Sequence, residues 1–219
     1  MILTFDCYGT LIDWETGIAR AFQTEARKDG VELERDDLME LYHRIEPQVE
    51  GESFRRYREV LRMVALRVAS EIDWEIDARR ASFLPDSVPD WPIFPETNAA
   101  LESLRERGWA LGILSNVDDD LIAATREQFT VEFDMVITAE QVRSYKPAHG
   151  HFIEARKKIR DAPWTHVAQS YFHDIAPAKQ LGIDCVWINR KSEDPSGEAR
   201  PDHEYPDLAT FASSHPSPM

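Results

Sequence analysis

The chain has 219 residues, 42 % of them hydrophobic, and carries 40 acidic against 25 basic residues for a formal net charge of −15. That length suits one large α/β domain, or one carrying an insertion, and the hydrophobic share is enough for a substantial core, which excludes global disorder. The acidic balance excludes a general nucleic-acid binder and opposes docking to anionic membranes, while a small-molecule pocket can still have its own local sign.

Residues 2–6 form an apolar run that ends abruptly at Asp6, the pattern of a buried strand. No basic segment precedes it and no apolar run approaches the roughly 18 residues of a membrane span. Neither a secretory leader nor a spanning helix is expected, and a cytoplasmic setting is. Asp13 reads as a helix N-cap, with a helix to about Ala26 closed by Asp29-Gly30. A second helix covers "ERDDLMELYHRIEP" and stops near Pro47. "SFRRYREVLRMVALRVA" places Phe54, Tyr57, Val60, Leu61, Val64, Ala65 and Val68 at helical spacing. A shorter helix is expected from Ile76 to Phe83, followed by the Pro-rich, loop-like "PDSVPDWPIFPET".

The pattern then changes. A helix at 96–107 ends at Gly108, "WALGILSN" is a buried strand, and "DDDLIAATREQF" is a helix. "FDMVITAE" is a strand and "KPAHGHFIEARKKI" leads into a helix. "HVAQS" is a strand, "DIAPAKQLG" a helix and "DCVWINR" a strand. This alternation is the signature of a parallel sheet. Beyond Arg190 the chain is polar, with a short helix near 206–213 and a frayed end. Cys7 and Cys185 lie in apolar runs with neither zinc nor disulfide-framework spacing, and read as two buried reduced thiols.

In open parallel sheets ligands bind at the carboxyl ends of the strands. Those ends carry Asp6, then Ser115-Asn116, then Ser170 with His173-Asp174 beyond it, while Lys146 stands just before a helix. An aspartate nucleophile needs this set. The acid attacks and becomes an ester. The lysine keeps it ionised, the hydroxyl and amide groups hold an anionic substrate, and a further acid positions water. Taken singly, an Asp at a strand end, "SN" and Lys-Pro are turn or cap chemistry, and His173 is an ordinary structural histidine. Their shared placement and order are harder to explain that way.

"FDCYGTLID", "ILSN", "YKP" and "SYFHDIAPAKQLGI" resemble, in order, the four motifs of the haloacid dehalogenase superfamily, over nearly the whole chain. The resemblance implies a Rossmann-like parallel-sheet core of residues 1–13 and 93–219, with a helical cap of residues 14–92 inserted. It implies Asp6 as nucleophile, supported by Thr10, Ser115, Asn116 and Lys146. Most members are magnesium-dependent phosphatases with a second Asp two positions after the nucleophile. Here that position is Tyr8, a phenol with an ordinary pKa near 10, and Gln169 stands where phosphatases carry another acid.

"DCYGTL" and "WINR" are instead similar to the L-2-haloacid dehalogenase branch. That implies a cofactor-free hydrolase of a small carboxylate, with (S)-2-haloacids the leading class. Asp6, Lys146, Asp174 and His173 would act in catalysis; Tyr8, Thr10, Ser115, Asn116 and Ser170 would bind substrate. The cap arginine that receives halide falls at His43, with Arg44 beside it. Two alternatives stay open. "SYFHDIAPA" is closer to azetidine-2-carboxylate hydrolases, where His173 or another acid would protonate the amine. A phosphatase would hold magnesium at Asp6, Tyr8 and Asp174. A homodimer is allowed by the resemblance, though no sequence feature demands one.

Overall fold

The computed structural model describes residues 1–215. The elements in chain order are β1 Ile2–Phe5, α1 Trp14–Arg27, α2 Arg35–Glu52, α3 Tyr57–Glu71, α4 Phe83–Ser87, α5 Thr97–Glu106, β2 Ala110–Ser115 and α6 Asp119–Thr125. They continue with β3 Met135–Thr138, α7 Ala139–Val142, α8 Gly150–Ile159, β4 Trp164–Ala168, a π-helical turn Tyr171–Ile175, α9 Ala176–Gln180, β5 Asp184–Ile188, β6 His203–Tyr205 and α10 Leu208–Ser214. The strands form one sheet in the order β3-β2-β1-β4-β5-β6, every pairing parallel. The fold is the expected α/β, Rossmann-like class. Among the described residues, no helix is long and apolar enough to cross a membrane.

The chain divides into two compact units. The first comprises Met1–Ile12, Ile93–Asn116 and Glu127–Met219 and holds the sheet. Leu3 and Phe5 in the central strand are wholly buried, as a strand covered on both faces requires. Leu114, Ile137, Phe152, Ala168, Ile175, Cys185 and Trp187 form a core between strands and helices α8 and α9. Both cysteines are buried and free. Burial pushes the Cys185 thiol up to about 11, so it stays protonated and behaves as a small apolar group.

The second unit comprises Asp13–Pro92 and Val117–Arg126, and is helical. Its helices follow the expected stripes, with three differences. The first is that α2 runs through Pro47 to Glu52. Leu38, Met39, Tyr42, Ile45 and Val49 make a continuous buried stripe facing α3, and this packing outweighs the one lost backbone hydrogen bond. The second is that α3 begins only at Tyr57, because Asp118 accepts from the backbone N–H groups of Tyr57 (2.8 Å) and Arg58 (2.9 Å). The third is that the helix expected at 76–83 lies further on, as short helical turns between Arg80 and Asp90. Asp77 accepts from Arg80 N at 2.7 Å and starts them, while Pro85 and Pro89 sit in first turns where no N–H is needed.

One further feature departs from the sequence reading. The polar tail contains a parallel edge strand, β6, followed by α10 at Leu208–Ser214. The expected fraying concerns residues 216–219, which lie outside the described residues.

Pro47 is exposed inside α2. Pro47→Ala restores the missing N–H donor and is expected to stabilise the fold by roughly 1–3 kcal/mol, part of it offset by the freer unfolded chain. Urea unfolding with the m-value held constant checks this. An unchanged midpoint would show that the helix had already relaxed around the proline.

Candidate active site

Asp6 follows β1 directly, and its backbone N–H continues the ladder by donating to Val167 O at 3.0 Å. Gly9 sits at φ 101°, a conformation that a side chain resists. The turn it allows brings Thr10 back, so that the Thr10 hydroxyl donates to Asp6 Oδ2 at 3.0 Å. Thr10 Oγ1 in turn accepts from the Gln169 backbone N–H at 2.9 Å. Arg190 fixes the same loop: its guanidinium donates to Thr10 O (2.9 Å) and Glu96 Oε1 (2.7 Å) and lies 3.6 Å over the Phe94 ring.

Lys146 is 1 % exposed and spends its three ammonium hydrogens on three oxygens. It donates to Asp6 Oδ1 at 2.8 Å, Asp174 Oδ1 at 2.6 Å and Leu114 O at 2.9 Å. The Asn116 side chain holds the lysine backbone from both sides. Its amide donates to Lys146 O (3.0 Å) and its oxygen accepts from Lys146 N (2.7 Å). The Asn116 side chain, expected to touch substrate, is therefore engaged in placing the lysine.

Asp174 has a second partner that sequence reasoning missed. His166 Nε2 lies 2.9 Å from Asp174 Oδ1, and Nδ1 lies 2.8 Å from Thr4 Oγ1, which also accepts from Trp164 Nε1 at 2.7 Å. A histidine inside an apolar strand carries no local signal beyond being an unusual polar core residue. Another such residue is His151, wholly buried with Nε2 3.0 Å from Ser115 O. Burial and the nearby Lys146 charge lower its pKa to about 3, so it is neutral.

The two carboxylates differ. Burial alone would raise Asp174, but Lys146 and His166 outweigh it and hold the group well below the usual carboxylate range. Asp6 is pushed up by burial and by the Asp174 charge, against the opposing pull of Lys146 and Thr10. On Lys146, the two carboxylates outweigh burial and raise its pKa. Two anions around one cation leave an excess negative charge, and the least compensated group is Asp6.

Among the described residues, Ser115 Oγ and Asp174 Oδ2 are buried polar atoms without a protein partner. Buried hydroxyl and carboxylate oxygens left this way are costly unless a ligand or water uses them. Ser170 Oγ accepts from the His173 backbone N–H at 3.1 Å and lies 3.0 Å from His173 Nδ1. Burial lowers the His173 pKa, favouring the neutral ring. Tyr8 is half-buried and pairs with Ile12 across the loop. His43 and Arg44 belong to the helical unit. His43 Nε2 lies 3.5 Å from Glu15 Oε1, with its ring edge-on to Trp14, and Arg44 donates to Glu71 at 3.1 Å.

Magnesium takes about six hard oxygens in near-octahedral array, one or two of them carboxylate and several of them water. Here Lys146 already bridges the two acids, position 8 carries a phenol and position 169 an amide. Among the described residues, no group of three or more His, Cys, Asp or Glu side chains is placed to hold a metal ion. This arrangement gives the two carboxylates the lysine ammonium as their shared cation.

Lys146→Met should lower kcat by roughly two to four orders of magnitude and destabilise the fold by about 3–5 kcal/mol at neutral pH, because two buried carboxylates lose their cation. Without it their folded pKa values rise above the unfolded ones, so the variant loses stability as pH rises through those values. Wild type behaves oppositely at Asp174, whose depressed pKa gives stability that is lost as pH falls below about 4. The stability gap should therefore narrow on acidification. Urea midpoints from pH 4 to 8 check it, and a pH-independent gap would contradict the charge argument.

A model of the haloacid dehalogenase-like hydrolases matches residues 1–202. Haloacetate dehalogenase H-2 of Moraxella sp. (strain B) is 33% identical over 109 residues, 44% of this chain and 45% of that protein, so the match spans less than half of that relative's length. (S)-2-haloacid dehalogenase 4A of Burkholderia cepacia is 23% identical over 204 residues, covering 90% of this chain and 86% of its own. In fold, the chain is similar to the L-2-haloacid dehalogenase of Xanthobacter autotrophicus solved with chloropropionic acid covalently bound. The TM-score is 0.82 at 19% identity, over 97% of this chain and 98% of that one.

Proposed function

We propose that this chain, which belongs to the haloacid dehalogenase-like hydrolase family and is a hydrolase, acts on small 2-substituted carboxylic acids, with (S)-2-haloacids as the leading class. The observation that carries the reading is the composition of the site. An ammonium stands between two buried carboxylates, and the residue two positions after Asp6 is a phenol. Displacement at phosphorus with an alkoxide leaving group asks for a metal and a proton donor. Displacement at carbon with a halide leaving group asks for neither.

In this mechanism an oxygen of Asp6 attacks C2 of the substrate. The C–halogen bond breaks, halide leaves with the bonding pair, and an ester joins Asp6 to C2. Water then attacks the Asp6 carboxyl carbon as Asp174 Oδ2, the unpartnered oxygen, accepts its proton. The bond between the Asp6 carboxyl carbon and the substrate oxygen breaks, that oxygen takes the proton back from Asp174 and the 2-hydroxy acid departs, while Asp6 gives up the remaining water proton and returns as a carboxylate. Ser115 Oγ is available for the substrate carboxylate. Similarity to enzymes named as haloacetate and (S)-2-haloacid dehalogenases supports the same reading. The azetidine alternative needs a proton for its amine, and His173 is held toward the form that lacks one. The proposed reaction uses no metal or organic cofactor.

Two measurements test it. Halide release from (S)-2-chloropropionate should persist in excess chelator, with inversion at C2. Activity lost on chelation and restored by magnesium, with turnover of p-nitrophenyl phosphate, would favour phosphoryl chemistry instead. In a single turnover in ¹⁸O-water with enzyme in excess, the product hydroxyl should carry an Asp6 oxygen while solvent label enters the Asp6 carboxylate. An unlabelled Asp6 after confirmed turnover would sink the nucleophile assignment.

A further inference from the structure

The geometry points to His166 as a positioning residue for the hydrolytic half of the reaction, acting through Asp174. The inference rests on the ester reading proposed above. His166 and Thr4 are register partners on the adjacent parallel strands β4 and β1. His166 is wholly buried, and Phe152 meets its ring edge-on at 5.2 Å. Thr4 Oγ1 fixes Nδ1 from one side, Trp164 Nε1 fixes Thr4, and the Nε2–H is left to donate to Asp174 Oδ1. Oδ1 thus takes two donors, His166 and Lys146, while Oδ2 takes none among the described residues.

This division of labour has a consequence. Lys146 alone would leave the Asp174 carboxylate free to rotate about its Cβ–Cγ bond and to offer both oxygens to the same ammonium. A second donor on Oδ1 from another direction fixes the plane, so the lone pairs of Oδ2 keep one orientation. The first step, attack of Asp6 on carbon, does not use Oδ2. The second step does, since that is where the water proton goes. Loss of His166 should therefore slow hydrolysis of the ester while leaving its formation nearly intact. A histidine that only fills the core would lower both steps together, or lower stability alone.

The test is rapid-quench turnover of (S)-2-chloropropionate, following halide and the intact mass of the full chain. His166→Phe keeps the ring volume and removes both polar contacts. His166→Gln keeps a donor toward Asp174. Thr4→Val, isosteric, removes the partner of Nδ1 and stands in should the phenylalanine variant fail to fold. Expected for His166→Phe is a first-turnover halide burst, a steady state slowed roughly ten- to hundredfold, the scale of a hydrogen bond to a charged group, and accumulation of chain esterified at Asp6. Thr4→Val should show the same pattern several-fold weaker, and His166→Gln should restore most of the steady-state rate. Equal loss of burst and steady state, or no adduct in whichever of His166→Phe and Thr4→Val folds, overturns the role of His166 while labelled Asp6 in wild type keeps the ester reading. Wild-type turnover with no label in Asp6 overturns both.

Discussion

One ammonium shared by two buried carboxylates is the constraint on which the sheet-bearing unit depends. A cation with three donors can serve Asp6, Asp174 and one carbonyl, and Lys146 does so. Leaving water costs such a charge several kcal/mol, and only near-ideal geometry compensates. This explains why so much of the surroundings holds the lysine still. Asn116 clamps its backbone, Leu114 O receives its third hydrogen, and three parallel strands bring these groups to one edge. The excess negative charge that remains rests at Asp6, where burial leaves the carboxylate with the weaker compensation, and it is the property the proposed attack would use.

The loop after Asp6 follows the same logic on a smaller scale. A carboxylate that attacks must present one oxygen and hold the other. Thr10 donates to Oδ2 and Lys146 to Oδ1, which fixes the carboxylate plane, and each oxygen keeps a lone pair beyond the one hydrogen bond it accepts. The turn at Gly9 makes this possible within four residues of the strand. Arg190, nearly at the other end of the chain, then anchors the turn through Thr10 O. A flexible loop would place the same atoms only part of the time, and near-attack geometry is where much of a barrier is lowered.

How much of this could be read from the sequence depended on whether the deciding interaction was local. The β/α alternation, the Asp13 cap and the strand-end positions of Asp6 and Ser115 are all local patterns, and they were legible. Pro47 misled because a local penalty was outweighed by a stripe packed against α3. The start of α3 misled because its cap, Asp118, lies sixty residues away. Strand β6 has no apolar alternation to betray it, only backbone pairing to β5. Within the site, motif order singled out Asp6 and Lys146, which the structure pairs at 2.8 Å. It did not find His166, which is invisible until Thr4 and Asp174 are brought beside it, nor the hold of the Asn116 side chain on the Lys146 backbone.

The same geometry bears on why position 8 can carry a tyrosine. In phosphate-ester chemistry the departing alkoxide is a strong base, and an acid poised to protonate it removes a large part of the barrier. An acid there would also add a third carboxyl to a cluster in which one cation already serves two. Its ionised form would raise Asp6 further, and protonating Asp6 would abolish attack. A halide is a weak base that leaves unaided, so nothing is lost when the acid is absent. A phenol there adds no third carboxylate for Lys146 to serve. On the proposed reading, Tyr8 spares the buried Asp6 a further negative neighbour, so that with one shared cation it can stay ionised for attack on carbon.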